Sequence, residues 1–171
     1  GDPNYFFVRQ VFWVALGGAI LFVVARVDYH TWARLATPAL LAVIALLLAV
    51  QFTPLGVEFG GARRWLRLGP LTPIQPSDFV KLGLVLFLSA YLAKHQEHIR
   101  ELRYGLLPFL AVVGVIAGLI VMERDLGTTV IILAIATTVF FAAGADLLQL
   151  SAIGLAVIAF VSWLAVLEPY R

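Results

Sequence analysis

The sequence predicts an all-α membrane protein, a polytopic helical bundle with about six transmembrane helices, and three observations carry that prediction. Hydrophobic residues make up 62% of the 171 residues and charged residues 13%, against about 45–50% and about 25% in soluble domains. The mean hydropathy is +0.99. The apolar residues are gathered into six runs, at 11–27, 35–52, 79–93, 105–122, 126–144 and 147–167, close to the roughly 20 residues that carry a helix across hydrocarbon. No stretch alternates apolar and polar residues as a membrane barrel would.

Taken in order, the run 11–27 is extended upstream by Tyr5-Phe6-Phe7-Val8. The loop Asp28–Arg34 mixes both charge signs and reads as a solvated turn before 35–52, with Pro38 near a helix start. Residues 53–78 are the only long connection, 26 residues rich in Gly and Pro. A connection of that length is usually functional or disordered. Trp65 and the flanking Leu, Ile and Phe residues argue against disorder and place it on the membrane interface, where Trp and Arg are comfortable. Pro76-Ser77-Asp78 then opens 79–93, with Ser77 placed to cap free N–H groups and Asp78 suited to the positive end of the helix dipole. Lys94 can snorkel past the end of that run. After the charged turn Lys94–Tyr104, the run 105–122 carries Gly114-x-x-x-Gly118, a spacing that lets helices approach closely. Ala145-Asp146 barely separates the last two runs, so these should form a tight antiparallel hairpin.

Several function classes fall away. The chain has no cysteine, which excludes disulfides, Cys-ligated zinc and thiol catalysis. His30, His95 and His98 lie in polar turns rather than in metal-ligand spacing. A net charge of +2 without a Lys/Arg run gives no footprint for nucleic acid. With six spans, Arg9, Arg63, Arg64, Arg67, Arg124 and Arg171 fall on one side, and Arg26, Arg34, Lys94, Arg100 and Arg103 on the other. Basic density per residue is higher on the second side, which favours placing it in the cytoplasm. The chain starts Gly1-Asp2-Pro3-Asn4-Tyr5 and stops just after a long apolar run. The expectation is one membrane domain over 1–171 that forms an internal piece of a larger protein.

Residues 60–82 concentrate three arginines, a tryptophan, three prolines, Asp78 and Lys81 beside hydrocarbon. An ionisable residue inside a membrane helix is costly unless it pairs or works. Asp78 and Lys81, three apart on one helix face, can simply form an ion pair. Alternatively, Lys81 and the Arg63–Arg67 cluster form a cationic pocket for an anionic head group, since basic pockets between helices suit phosphate lipids and arginine grips phosphate bidentately. Glu123-Arg124-Asp125-Leu126-Gly127-Thr128-Thr129 likewise reads either as a cap with a tight turn or as a functional cluster. It falls on the same side as 53–78, so acids and cations from two loops would meet at one membrane face.

The run Gly61-Ala62-Arg63-Arg64-Trp65-Leu66-Arg67-Leu68-Gly69, followed by Ile74-Gln75-Pro76-Ser77-Asp78-Phe79-Val80-Lys81-Leu82, resembles the signature of the SEDS family (shape, elongation, division, sporulation; the RodA/FtsW type). That pattern reads approximately Gly-x-x-Arg-Trp-x-x-Leu-Gly…Gln-Pro-Ser/Ala-Glu-x-x-Lys-Leu. Asp125-Leu126-Gly127-Thr128 resembles the family's Pro-Asp-Leu-Gly-Thr, and Gly1-Asp2-Pro3, Arg9-Gln10 and Glu168-Pro169-Tyr170-Arg171 resemble further landmarks. The likeness runs over most of the chain. It implies the middle portion of a ten-helix protein of the bacterial cytoplasmic membrane, with 53–78 extracytoplasmic. It also implies a peptidoglycan glycosyltransferase that polymerises lipid II beside a class B penicillin-binding protein. The motif positions Arg64, Gln75, Asp78, Lys81 and Asp125 would bind substrate. The catalytic acid of the family lies after the seventh helix, so none is expected within this segment. A divalent cation could assist at the pyrophosphate, although no carboxylate cluster here fixes one. Asp78 stands where Glu is usual, and Glu123-Arg124 where Gln-Pro is common. A lipid II flippase, or a scaffold that only docks a synthase, stays open as an alternative.

Overall fold

The computed structural model describes residues 3–59, 61–67 and 73–167. Its six helices are α1 (Pro3–Val24), α2 (Tyr29–Phe52), α3 (Pro76–Lys94), α4 (Leu107–Met122), α5 (Leu126–Ala142) and α6 (Leu147–Leu167), each overlapping one of the apolar runs. α1, α2, α3 and the helical stretch 102–122 are long and apolar enough to cross a membrane. α5, at 17 residues, and the described apolar part of α6, 147–160, are shorter. The family-like landmarks Gly1-Asp2 and Glu168–Arg171, together with motif residues 68–72, lie outside the described residues.

The chain divides into two compact units, residues 1–35 and 36–171. In the first, the Arg26 guanidinium sits 4.1 Å from the Phe22 ring centroid near the end of α1. Asp28 opens α2, its Oδ1 accepting the His30 N–H at 2.8 Å, the second helical position that a cap side chain serves. Because that cap starts the helix at Tyr29, Pro38 lies inside α2 rather than near its start.

In the second unit, Leu40, Val43 and Leu47 of α2, Val80, Leu84, Leu88 and Leu92 of α3, and Ile132, Ala136 and Phe140 of α5 are buried at helical spacing, the pattern of one apolar stripe per helix. α5 packs against both α3 and α4, and α6 against α5. The Phe109 and Phe140 rings stack at 4.4 Å where α4 meets α5. Residues 143–146 fold α6 back on α5, with Gly144 at φ 92°. The Gly144 and Ala145 N–H groups close onto the Phe141 and Phe140 carbonyls at 3.0 and 3.3 Å, a Schellman ending that demands a left-handed residue. The expected close approach at Gly114 and Gly118 is absent. Among the described residues no heavy atom comes within 4 Å of a Cβ built there, and both glycines line an apolar groove of about 350 Å³ between α4, α5 and α6.

The long connection is built rather than loose. β1 (Gly56–Phe59) and β2 (Ala62–Leu66) form an antiparallel hairpin. Leu66 then exchanges two backbone hydrogen bonds with Ile74, at 2.8 and 3.0 Å, just before α3. The Arg63 guanidinium donates to the Thr53 carbonyl, tying the hairpin to the end of α2. The local sequence explains it: Val57-Glu58-Phe59 and Ala62–Leu66 flank Gly60-Gly61, a two-residue connection of the type that hairpins favour.

Candidate functional site

The hairpin contains an irregularity that governs the site. Val57 pairs with Trp65 and Glu58 with Arg63, so Arg64 is the extra residue of a β-bulge. A bulge re-aims the side chain it carries. Arg64 Nη1 lies 3.5 Å from Asp125 Oδ2, joining the hairpin to the α4–α5 link as the shared-side expectation required.

Asp125 is set by two helix ends meeting in three residues. Glu123 ends α4, and the Arg124 and Asp125 N–H groups bond the Val121 and Ile120 carbonyls at 2.9 and 3.4 Å. This repeats the Schellman pattern seen at Gly144, with Arg124 at φ 57° in the left-handed position. A proline cannot adopt that φ, so this link follows a backbone path that the Gln-Pro of the family pattern could not. Asp125 then caps α5: Oδ1 accepts the Thr128 N–H at 3.0 Å and Oδ2 the Thr128 hydroxyl at 2.8 Å. Gln75 Nε2 also reaches Asp125 Oδ2, at 3.3 Å, while donating to Ser77 Oγ at 2.9 Å. Asp125 is only 6% exposed, and its oxygens take donors from β2, from the residue preceding α3, and from α5.

The structure therefore brings Arg64, Gln75 and Asp125 together. It places Asp78 and Lys81 on the first turns of α3, bonded to each other at 2.8 Å, with Asp78 exposed and Lys81 half-buried. Ser77 is not the cap of α3: the helix begins behind Gln75 with Pro76 at its first position, and the buried Ser77 hydroxyl turns to the Gln75 side chain. Nor do the three arginines share one pocket. Arg67 is exposed, and Arg63, on the ladder beside the bulge, lines a separate polar pocket of about 300 Å³ with Gln51, Glu58, Gly61, Met122 and Arg124.

Glu123, named in the candidate cluster but not among the expected substrate-binding residues, is wholly buried, and neither carboxylate oxygen meets a hydrogen-bond donor. It lies in the link outside the membrane-spanning segments. Burial first, and the neighbouring Asp125 charge second, push its carboxyl up to about 8 against the opposing pull of Arg64. An acid between two apolar helices gives no sequence signal of burial; only the brevity of the link hinted that its side chain had little room to swing outward. Among the described residues no three His, Cys, Asp or Glu side chains gather as a metal site.

The chain matches the FtsW/RodA/SpoVE family profile, described as cell cycle protein, over residues 1–171. It is 34% identical over 170 residues to a protein of Trichlorobacter lovleyi named "Probable peptidoglycan glycosyltransferase FtsW", covering 99% of this chain and 44% of that one. A protein of the same name from Nitrosococcus halophilus is 36% identical over 174 residues, again covering 44% of its length. Among solved structures, a point mutant of the Thermus thermophilus rod shape determining protein RodA superposes with a TM-score of 0.75 at 29% identity, over 98% of this chain and 51% of that one. A chain from a structure described as a peptidoglycan synthase complex that coordinates polymerization and crosslinking gives 0.71 at 27% identity, over 99% and 53%. The chain thus spans less than half the length of these curated relatives. With its family profile matched over residues 1–171 and a fold shared with RodA, the chain belongs to the FtsW/RodA/SpoVE family of cell cycle proteins.

Proposed function

We propose that this chain forms the head-group-holding part of a peptidoglycan glycosyltransferase that polymerises lipid II in the bacterial cytoplasmic membrane, with the hairpin on the extracytoplasmic side. The observation that carries this reading is the bulged Arg64 docked on Asp125 at 3.5 Å, with Gln75 on the same carboxylate and the Lys81–Asp78 pair at the start of α3. Such a reaction attacks the anomeric carbon of a lipid-linked donor with a sugar hydroxyl and expels lipid pyrophosphate. It needs a base for the hydroxyl and preorganised positive charge at the leaving group. Arg64 and Lys81 supply cations at the polar end of the bundle. Asp125, held by donors from three parts of the chain, serves as a clamp, and the family resemblance implies that the base lies outside this segment. The relatives named as peptidoglycan glycosyltransferases support the reaction class. The neighbour from a synthase complex that coordinates polymerization and crosslinking supports a crosslinking partner, and a class B penicillin-binding protein is the partner proposed.

The test is polymerisation of labelled lipid II by the purified full-length protein with its partner. Arg64→Ala and Lys81→Ala should each lower glycan synthesis by about 100-fold, the scale of losing one transition-state donor, while lipid II translocation across vesicles is unchanged. Blocked translocation with intact polymerisation of pre-exposed substrate would instead identify a flippase. Wild-type rates in both variants would leave only the scaffold reading.

A further inference from the structure

Glu123 presents a physical contradiction if ionised. It is fully buried, and neither carboxylate oxygen has a donor. The charged groups that face it are Asp125, two residues along the same link, and Arg64, arriving from β2. That guanidinium already lies 3.5 Å from Asp125. An ionised Glu123 would be a second buried anion competing for one cation, and an unpaired buried charge is among the costliest features a fold can carry. A neutral carboxylic acid removes the conflict, and the upward push on its ionisation agrees with that state at neutral pH.

We propose that Glu123 is a positioning residue, held as a neutral acid so that Arg64 is left to Asp125 alone and the bulged hairpin stays docked on the start of α5. When Glu123 releases its proton to solvent, the cluster of Arg64, Asp125 and Glu123 changes from balanced charge to one net negative charge. Arg64 is then drawn between two carboxylates. Both changes weaken the grip on an anionic head group. The consequence for substrate rests on the function proposed above; the protonation state of Glu123 does not.

The experiment has two arms on the full-length protein in lipid nanodiscs. In the first, infrared spectra are recorded as pH rises through the region of 8. The wild type should lose a protonated-carboxyl band with a midpoint near 8, and Glu123→Gln, its fold verified by melting, should lack that band. A wild type with no such band at neutral pH, or with the same band in Glu123→Gln, overturns the proposal. In the second arm, KM for lipid II is compared with kcat across the same range. One pH unit above the midpoint, the wild-type KM should have risen about tenfold, because only about a tenth of the protein remains competent, whereas the KM of Glu123→Gln should be flat. An equal alkaline rise in both proteins overturns the positioning role. A full-length protein that polymerises nothing at any pH refutes the function proposed above while the infrared arm still decides the state of Glu123.

Discussion

Asp125 is the residue on which three parts of the chain depend. Its carboxylate caps α5 through Thr128 and holds both Gln75 and Arg64. Asp125→Ala should lose the cap, about 1 kcal/mol, and leave buried donors unsatisfied at about 1–3 kcal/mol, a total of about 2–4 kcal/mol in thermal or denaturant unfolding. Asp125→Asn keeps an acceptor for the cap and should fall between the two, which separates the cap from the charge. Next to it, Arg124 occupies a left-handed backbone position that is unfavourable for a residue with a Cβ. The sequence leaves Asp125 as either a cap with a tight turn or part of a functional cluster; the structure shows the cap and the turn, with Gln75 and Arg64 on the same carboxylate. Nothing in the sequence showed that Ser77 would face Gln75, because where a helix begins, and so which residue sits at its cap, depends on what packs above the helix end.

At the scale of elements, α3 meets α2 at Gly83. A Cβ there would lie 3.3 Å from Val43 Cγ2 across the α2–α3 contact. Gly83→Leu should overpack that crossing by about 1–3 kcal/mol, and Val43→Ala in the same protein should recover part of the loss, a coupling measurable by a double-mutant cycle of melting curves. The glycines that the sequence marked for close packing, Gly114 and Gly118, are not the ones used; α3 approaches α2 at an isolated glycine with no repeat to announce it. Helix positions were legible because each apolar run is long and bounded by charge. In the sequence the connection 53–78 reads only as an interfacial loop, and the hairpin goes unread although Gly60-Gly61 lies between two short β-prone runs. The bulge at Arg64 had no signal of its own, since register emerges only when both strands are paired.

For the whole molecule, the buried acid predicts how stability varies with pH. The Glu123 carboxyl titrates near 4.5 when unfolded and near 8 when folded. Between those values the native state holds a proton that the unfolded chain has released, so stability falls as pH rises and levels off above about 8. Melting curves should show Glu123→Gln gaining on the wild type through that window, with the full difference present on its alkaline side. If the two proteins keep a constant gap from acid to alkaline pH, the buried carboxyl does not titrate as described.

The Asp125 clamp also bears on how the protein is made. Its partner Gln75 lies 50 positions upstream, and Arg64 lies further still. Contacts of that sequence separation form late, after the intervening chain exists. A nascent chain can pair β1 with β2 as soon as they emerge, but Arg64 has nothing to dock on until all of α4 and the first turn of α5 have been synthesised. The cluster thus closes only behind a completed α4, so a chain stalled or misinserted there would display a folded hairpin without a pocket.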